Sequence, residues 1–166
     1  MNGAARDSGE ERFLLDVMLG TLATYLRMCG YDAAYALDRG VEDDDRIREM
    51  VLEEARTLLT RDEQLADRTP DALLLSERAV IDQLGELADA GIELSIADPP
   101  TRCGSCNGRL EHVAHPGRQC AGERSDDEPV PAHVPEDEAV FRCQDCGQWF
   151  WRGSHWADVK QTVGSL

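Results

Sequence analysis

The chain has 166 residues, 42% of them hydrophobic, enough to fill the core of one ordinary domain with a small appendage. Its formal charge is −16, from 33 acidic against 17 basic side chains, and a single base, Lys160, is a lysine. That balance excludes a broadly basic surface that would wrap nucleic acid, and no apolar run approaches the roughly eighteen residues that span a bilayer.

Dense carboxylates with almost no lysine suit a salt-rich cytoplasm, where they keep a surface hydrated while screening quiets their repulsion, so the composition reads as halophilic. A local basic or aromatic surface can still bind RNA. Residues 1–98 carry 23 acids and 10 bases, whereas residues 99–166 carry 10 and 7, making the second part the less repulsive one. The polar stretch 1–11 reads as a disordered leader with no secretory segment, so the expected location is the cytoplasm and the expected state soluble. Six cysteines there, four of them in CxxC pairs, favour metal ligation over a disulfide framework.

In chain order, Phe13, Leu14 and Leu15 form a short apolar run suited to a strand buried on both faces, ending at Asp16. Leu19, Leu22, Ala23 and Leu26 then mark one helical stripe, stopped by Gly30. A second strand is expected within 31–37. The helix after it places Ile47, Met50, Val51 and Ala55 on one face, with Asp43 or Asp44 as its cap. Residues 57–60 read as a third strand, 61–68 as a short helix, 72–75 as a fourth strand and 79–91 as another helix. Residues 92–96 are expected to close the sheet as a further strand. This alternation implies an α/β fold with a mainly parallel sheet flanked by helices over residues 12–98. From residue 99 to residue 166 the pattern changes to two CxxC pairs flanking a polar acidic insertion at about 115–139, the composition of a solvated loop.

In such a sheet, ligands gather outside the carboxyl ends of the strands. Three acids are expected there: Asp16 after the first strand, Asp44 at the helix following the second, and Asp62 after the third. Converging, they would bind Mg²⁺ or Mn²⁺, hard cations that keep several waters, bridge a phosphate and activate water for in-line attack on a phosphodiester. Helix capping alone accounts for Asp44 or Asp62 equally well, but less well for Asp16, whose position at the end of an apolar run makes desolvation costly. Asp43 and Asp45 are surface acids, or alternates if the register slips by one. Arg27 and Arg61, near this crevice on the same reading, are placed for a phosphate or for pairing with acids.

Cys103 and Cys106, then Cys143 and Cys146, are two knuckles that complete a tetrahedral Zn²⁺ site, with Gly108 and Gly147 permitting the turns that aim backbone amides at sulfur. A redox pair would instead place one CxxC at the start of a helix after a strand. Cys29 is read as a small buried hydrophobe, and His112, His115 and Cys120 are the alternative ligands or weak second site, set aside because four cysteines already fill one tetrahedron. The segment "WFWRGSHW" hangs Trp149, Phe150, Trp151, Arg152, His155 and Trp156 from the hairpin and tail that the metal fixes. Aromatics beside arginine suit stacking on unpaired bases, or else they seal the ribbon against the α/β unit. Trp149 and Trp151 are read as packing residues, and Arg152 and His155 as substrate contacts.

The runs "RFLLDVMLGTLATYLRMCGYD", "DDDRI", "LLTRDEQLADR", the two CxxC pairs and "WFWRGSHW" resemble, in that order, the PIN-like ribonuclease family named for the Mut-seven exonuclease C-terminal domain, with its fused zinc ribbon. The resemblance spans about residues 12 to 158. It implies a PIN-type sheet, a metal-dependent nuclease centre built on Asp16, Asp44 and Asp62, a structural zinc and an RNA substrate. PIN nucleases often add a late fourth acid, for which Glu77 and Asp82 are the candidates here. The first expectation is therefore a divalent-metal-dependent ribonuclease. The second is an RNA- or protein-binding module on the same scaffold without hydrolytic power. A small-substrate phosphatase lacks its phosphate-cradling glycine loop.

Overall fold

In the computed structural model of the chain, residues 11–113, 134 and 138–166 are described. The first part alternates β1 (Arg12–Leu15), α1 (Gly20–Met28), β2 (Asp32–Tyr35), a 3₁₀ turn (Ala36–Arg39), α2 (Asp44–Glu54), β3 (Thr57–Thr60), α3 (Glu63–Arg68), β4 (Ala72–Leu74) and α4 (Val80–Asp89). The second part holds β5 (Leu110–Val113), β6 (Val140–Cys143), β7 (Trp149–Trp151) and α5 (Ser154–Gly164). The four strands of the first sheet are all parallel, in the order β2-β1-β3-β4, and the second sheet is antiparallel in the order β5-β6-β7. A helix-flanked parallel sheet followed by a small cysteine-bearing unit is the architecture expected from the alternation of apolar runs.

Strand periodicity sorts the core into two layers. Phe13, Leu15, Ala33 and Leu59 face α1 and α4, meeting Leu22, Leu26, Leu84 and Leu87. Leu14, Ala34 and Leu58 face α2 and α3, meeting Ile47, Met50, Val51 and Leu65. Each fully buried leucine removes enough apolar surface from water to contribute about 1.5–3 kcal/mol, and strands apolar on both faces can exist only inside such a sandwich. Phe13 and Tyr31 meet edge to face with centroids 5.3 Å apart.

Two expectations are corrected. Residues 92–96 form no strand. They run as an irregular strap whose apolar side chains Ile92, Leu94 and Ile96 still pack on the α1 layer. The strap is tied down by the Tyr31 hydroxyl donating to the Glu93 carbonyl at 2.6 Å and by the Ala97 amide donating to the Met28 carbonyl at 2.9 Å. Burial was legible there, but the ladder was not, because bonds to Leu87 of α4, to the Tyr31 hydroxyl and to Met28 at the end of α1 take the place of strand pairing. The segment read as a tail is instead the helix α5, and its Val159 and Val163 join the α1–α4 core.

The ribbon docks on β2, an edge strand of the parallel sheet. Asn107 does there what a neighbouring strand would do. Its side-chain carbonyl accepts from the Ala33 amide at 3.0 Å and its amide donates to Asp32 at 2.8 Å. Asp32 also receives Arg56 at 2.8 Å, Arg12 at 3.3 Å and Arg102 at 3.8 Å. Burial alone would raise the Asp32 carboxyl, but the hydrogen bonds from Arg56 and Asn107, with the charges of Arg56 and Arg102, outweigh it and hold the group well below the usual carboxylate range.

Replacing Asp32 by Ala leaves the buried Arg56 guanidinium with Glu54 as its remaining acid, and the expected loss is about 1–3 kcal/mol in urea unfolding. A folded-state carboxyl titrating below its unfolded value, near about 3.9, contributes fully above that pH and loses its contribution as pH falls toward the folded value. The stability gap between the natural chain and Asp32→Ala is thus expected to narrow from about pH 5 to about pH 3, and a constant gap would show that the carboxylate charge is not what Arg56 needs.

Candidate functional site

The order β2-β1-β3-β4 means the chain leaves β1 to one side and returns to the other, so the sheet has its topological switch point between β1 and β3. Asp16 lies at the carboxyl end of β1 and is 4% exposed. Its two oxygens are held separately: one accepts from the Val17 amide at 2.7 Å, the other from the Thr60 hydroxyl at 2.7 Å. Thr60, wholly buried at the end of β3, passes the connection on, because its hydroxyl oxygen accepts from the Asp62 amide at 3.0 Å. Asp62 in turn caps α3, accepting from the Leu65 amide at 3.0 Å. Capping uses one Asp62 oxygen and orients the other.

The cap of α2 is Asp43, which accepts from the Arg46 amide at 3.0 Å. Asp44, in the first helical turn, is thereby released from capping, and it meets Arg68 at 3.5 Å while the more exposed Asp45 meets the same guanidinium at 3.3 Å. Desolvation, then the negative charges of Asp62 and Asp16, push the Asp44 carboxyl above its ordinary value against the pull of Arg68. Asp16, Asp44 and Asp62 thus share one electrostatic neighbourhood at the carboxyl edge of the sheet. They do not close into a compact ligand cage: among the described residues, only four cysteines bring three or more such ligand atoms within 4.8 Å of one another. Separated carboxylates suit a small hard cation that keeps much of its water shell.

The cationic candidates divide. Arg61 follows Thr60 directly, and its Nε is buried without a hydrogen-bond partner. It lies close enough to Glu86 for its charge to be felt there. Arg27 is corrected: at 3% exposure it points inward, donating to the carbonyls of Ala33 at 2.9 Å and Gly104 at 3.0 Å and to Asp38 at 3.0 Å, so it ties α1 to β2 and to the first knuckle and has no face left for a phosphate. Arg152 pairs with Asp98 and lies over Trp156, at 5.7 Å from the ring centroid. His155 stands in the first turn of α5, and its side chain lies outside the described ones. Glu77 and Asp82 are both exposed, and neither side chain bonds to Asp16, Thr60 or Asp62.

Two residues were missed at the level of sequence. Thr60 was visible in "LLTRD" but was counted only as part of a strand, although an inward hydroxyl at a strand end is the signal for a buried polar partner. Glu86, on α4, accepts from the Ser76 amide at 2.9 Å and the Glu77 amide at 3.2 Å and so shapes the loop after β4.

The two knuckles are built alike. The Asn107 amide donates to the Cys103 carbonyl at 2.9 Å and the Gly147 amide to the Cys143 carbonyl at 3.0 Å, each from a left-handed residue directly after the second cysteine. The left-handed position in the first knuckle is therefore Asn107 and not Gly108. Gly108 is required for space, since a Cβ there would lie 2.7 Å from the Cys143 sulfur and 2.6 Å from an Asp145 oxygen. Amides of Gly108 and Cys146 point at the sulfurs of Cys106 and Cys143, at 3.4 and 3.5 Å. Cys103 and Cys146 sulfurs are 3.7 Å apart, and those of Cys106 and Cys143 3.4 Å. Four thiols with amide donors and a glycine-lined cradle fit one tetrahedral metal ion. His112 packs edge to face on Phe141 at 5.5 Å, and His115 and Cys120 lie outside the described residues, as does nearly all of the acidic insertion. Cys29 is buried and its thiol is pushed up to about 12 by desolvation, which leaves it inert.

No helix among the described residues is long and apolar enough to cross a membrane. A family model described as "Mut7-C RNAse domain" matches residues 11–163, which include both sheets, the three acids and all four clustered cysteines. No curated protein matches the chain.

Gly108→Ala forces the new methyl group against the Cys143 sulfur, and the expected result is loss of most bound metal by elemental analysis together with faster proteolysis of the 99–166 part. Gly147→Ala, where the nearest atoms belong to a flexible Arg142 side chain 3.5 Å away, is expected to be milder and to act through its left-handed backbone alone, at about 1 kcal/mol.

Proposed function

The chain belongs to the Mut7-C RNAse domain family, and from that membership we propose that it hydrolyses phosphodiester bonds of RNA, single-stranded RNA first, at the crevice of Asp16, Asp44 and Asp62. The observation that supports this reading most is the connection Asp16–Thr60–Asp62 at the switch point, with Asp44 in the same electric field. Asp16, Asp44 and Asp62 would hold Mg²⁺ or Mn²⁺, which when bound supplies a Lewis acid for attack of water on phosphorus. Thr60 and the Val17 amide fix the two Asp16 oxygens in place, and capping orients Asp62. Arg61, which follows Thr60 directly and whose Nε is buried without a hydrogen-bond partner among the described residues, is assigned to the substrate phosphate, and Arg152 and His155 to the strand as it crosses the ribbon.

The ion at the four cysteines is proposed to be Zn²⁺ in a structural role, since four thiolates fill a tetrahedron and leave no open position. Reduced thiols at this site suit the cytoplasm, and the acidic, lysine-poor surface suits one rich in salt. The spread of the three carboxylates favours a second reading, a binding module that holds RNA without cutting it.

One assay separates the two. Labelled single-stranded RNA with Mn²⁺ or Mg²⁺ is expected to be degraded at low and at molar salt. Asp16→Asn is expected to slow cleavage by roughly a hundredfold or more, and Arg61→Ala by about tenfold through weaker substrate binding. RNA that binds but stays intact gives the binding module, and RNA cut equally by Asp16→Asn overturns the assignment of cleavage to these acids.

A further inference from the structure

All three tryptophans of the chain, Trp149, Trp151 and Trp156, line one groove of about 450 Å³ that runs between α1 and the cysteine ribbon. Phe150, Met28 and Leu110 complete its apolar walls. In a soluble protein, an apolar cleft this rich in half-exposed aromatic rings is unusual unless something enters it. What surrounds the groove says what that is. The Arg142 guanidinium lies 5.4 Å from the Trp149 centroid, and Arg152 and Lys160 lie 5.7 and 4.9 Å from that of Trp156. Lys160 is the chain's one lysine, and among the described residues its ammonium has no acid within ion-pair distance.

This placement departs from the acidity of the rest of the molecule. Residues 99–166 carry seven bases against ten acids, whereas residues 1–98 carry 10 against 23. Three of those seven bases rest on the tryptophan rings. Flat apolar walls rimmed by cations fit a ligand that alternates flat rings with anions, which is single-stranded nucleic acid. Helix α1, which begins four residues after Asp16, carries the groove lining at Thr24, about 6 Å along the axis from Gly20.

We infer that this groove is a nucleobase-binding subsite, in which unpaired bases of a single RNA strand stack on Trp149, Phe150 and Trp151 while Lys160 and Arg152, positioned by Trp156, meet the backbone. The inference rests on the proposed RNA substrate. It assigns to Trp149 and Trp151 the binding role that the sequence alone gave only to Arg152 and His155. Because a base is read here by its ring face, the subsite tolerates any base sequence and rejects paired strands, whose faces are already covered.

Since every tryptophan lies in the groove, intrinsic emission reports its occupancy directly. The full chain carrying Asp16→Asn, in buffer without added Mg²⁺ or Mn²⁺ and without chelator, is titrated with a uridine 12-mer and, separately, with an abasic 12-mer of the same charge. Saturable quenching is expected with the first and not with the second. Phe150→Leu, which keeps apolar volume but removes the ring face, is expected to weaken the uridine oligomer about tenfold, and Lys160→Gln to flatten the salt dependence of both oligomers. Circular dichroism and metal content unchanged in Phe150→Leu show that the ribbon is still folded. The inference is overturned if the uridine oligomer binds with unchanged emission, if the abasic oligomer binds equally well, or if emission follows protein concentration instead of oligonucleotide, which makes the groove a self-contact. Cleavage by the natural chain without quenching would sink the subsite and leave the nuclease reading standing; quenching without cleavage would do the reverse.

Discussion

Asp32 is the point at which the two parts of this molecule are held together. One carboxylate at the start of an edge strand gathers Arg12 and Arg56 from the sheet side and Arg102 and Asn107 from the ribbon side. Edge strands are open to unwanted pairing, and here the Ala33 amide on the outer edge of β2 is answered by a side-chain carbonyl from the knuckle loop. The same Asn107 occupies the left-handed backbone position that the cysteine turn requires. One residue therefore shapes the metal cradle and seats it on the sheet, so cradle and sheet cannot shift independently. Arg27 strengthens the joint from beneath, linking α1 and β2 to the Gly104 carbonyl.

With the ribbon seated on β2, the carboxyl edge of the sheet is left clear. Parallel pairing of β1 with β3 puts Leu15 opposite Leu59, so the next residues, Asp16 and Thr60, end adjacent strands side by side. The connections from β1 and β3 depart to opposite sides there, the place where open α/β sheets gather their ligands. The acids are kept apart by what each also does for the fold: Asp62 caps a helix, Asp16 takes a backbone amide, and Asp44 is balanced by Arg68. That arrangement lets like charges coexist without a cation, with Asp16 buried and Asp44 and Asp62 half-exposed.

Most of the architecture was legible from apolar periodicity, since strands such as Phe13–Leu15 with no polar face have one environment in which they survive. The four cysteines were legible because their spacing has few other uses. Local pattern could not show which partner a side chain would choose. Arg27 and Arg61 are alike as letters, but Arg27 falls beneath α1 within reach of three acceptors while Arg61 reaches none at its Nε. Asp43 and Asp44 compete for one cap, and a single residue of register decides it. The strap at 92–96 carries strand-like letters and finds its hydrogen bonds on the end of α4 and the Tyr31 hydroxyl. Helix α5 shows in the letters only as Trp156, Val159 and Val163 at helical spacing, a short repeat that follows directly on an aromatic strand.

That helix has a consequence for how the chain comes into being. Val159 and Val163 complete an apolar layer whose other members begin at Phe13, so the α1 side of the sheet stays partly uncovered until α5 has emerged from the ribosome. Biogenesis must therefore wait for that helix, and a transcript cut short just past the second cysteine pair would release a product with a greasy flank and a strong tendency to aggregate.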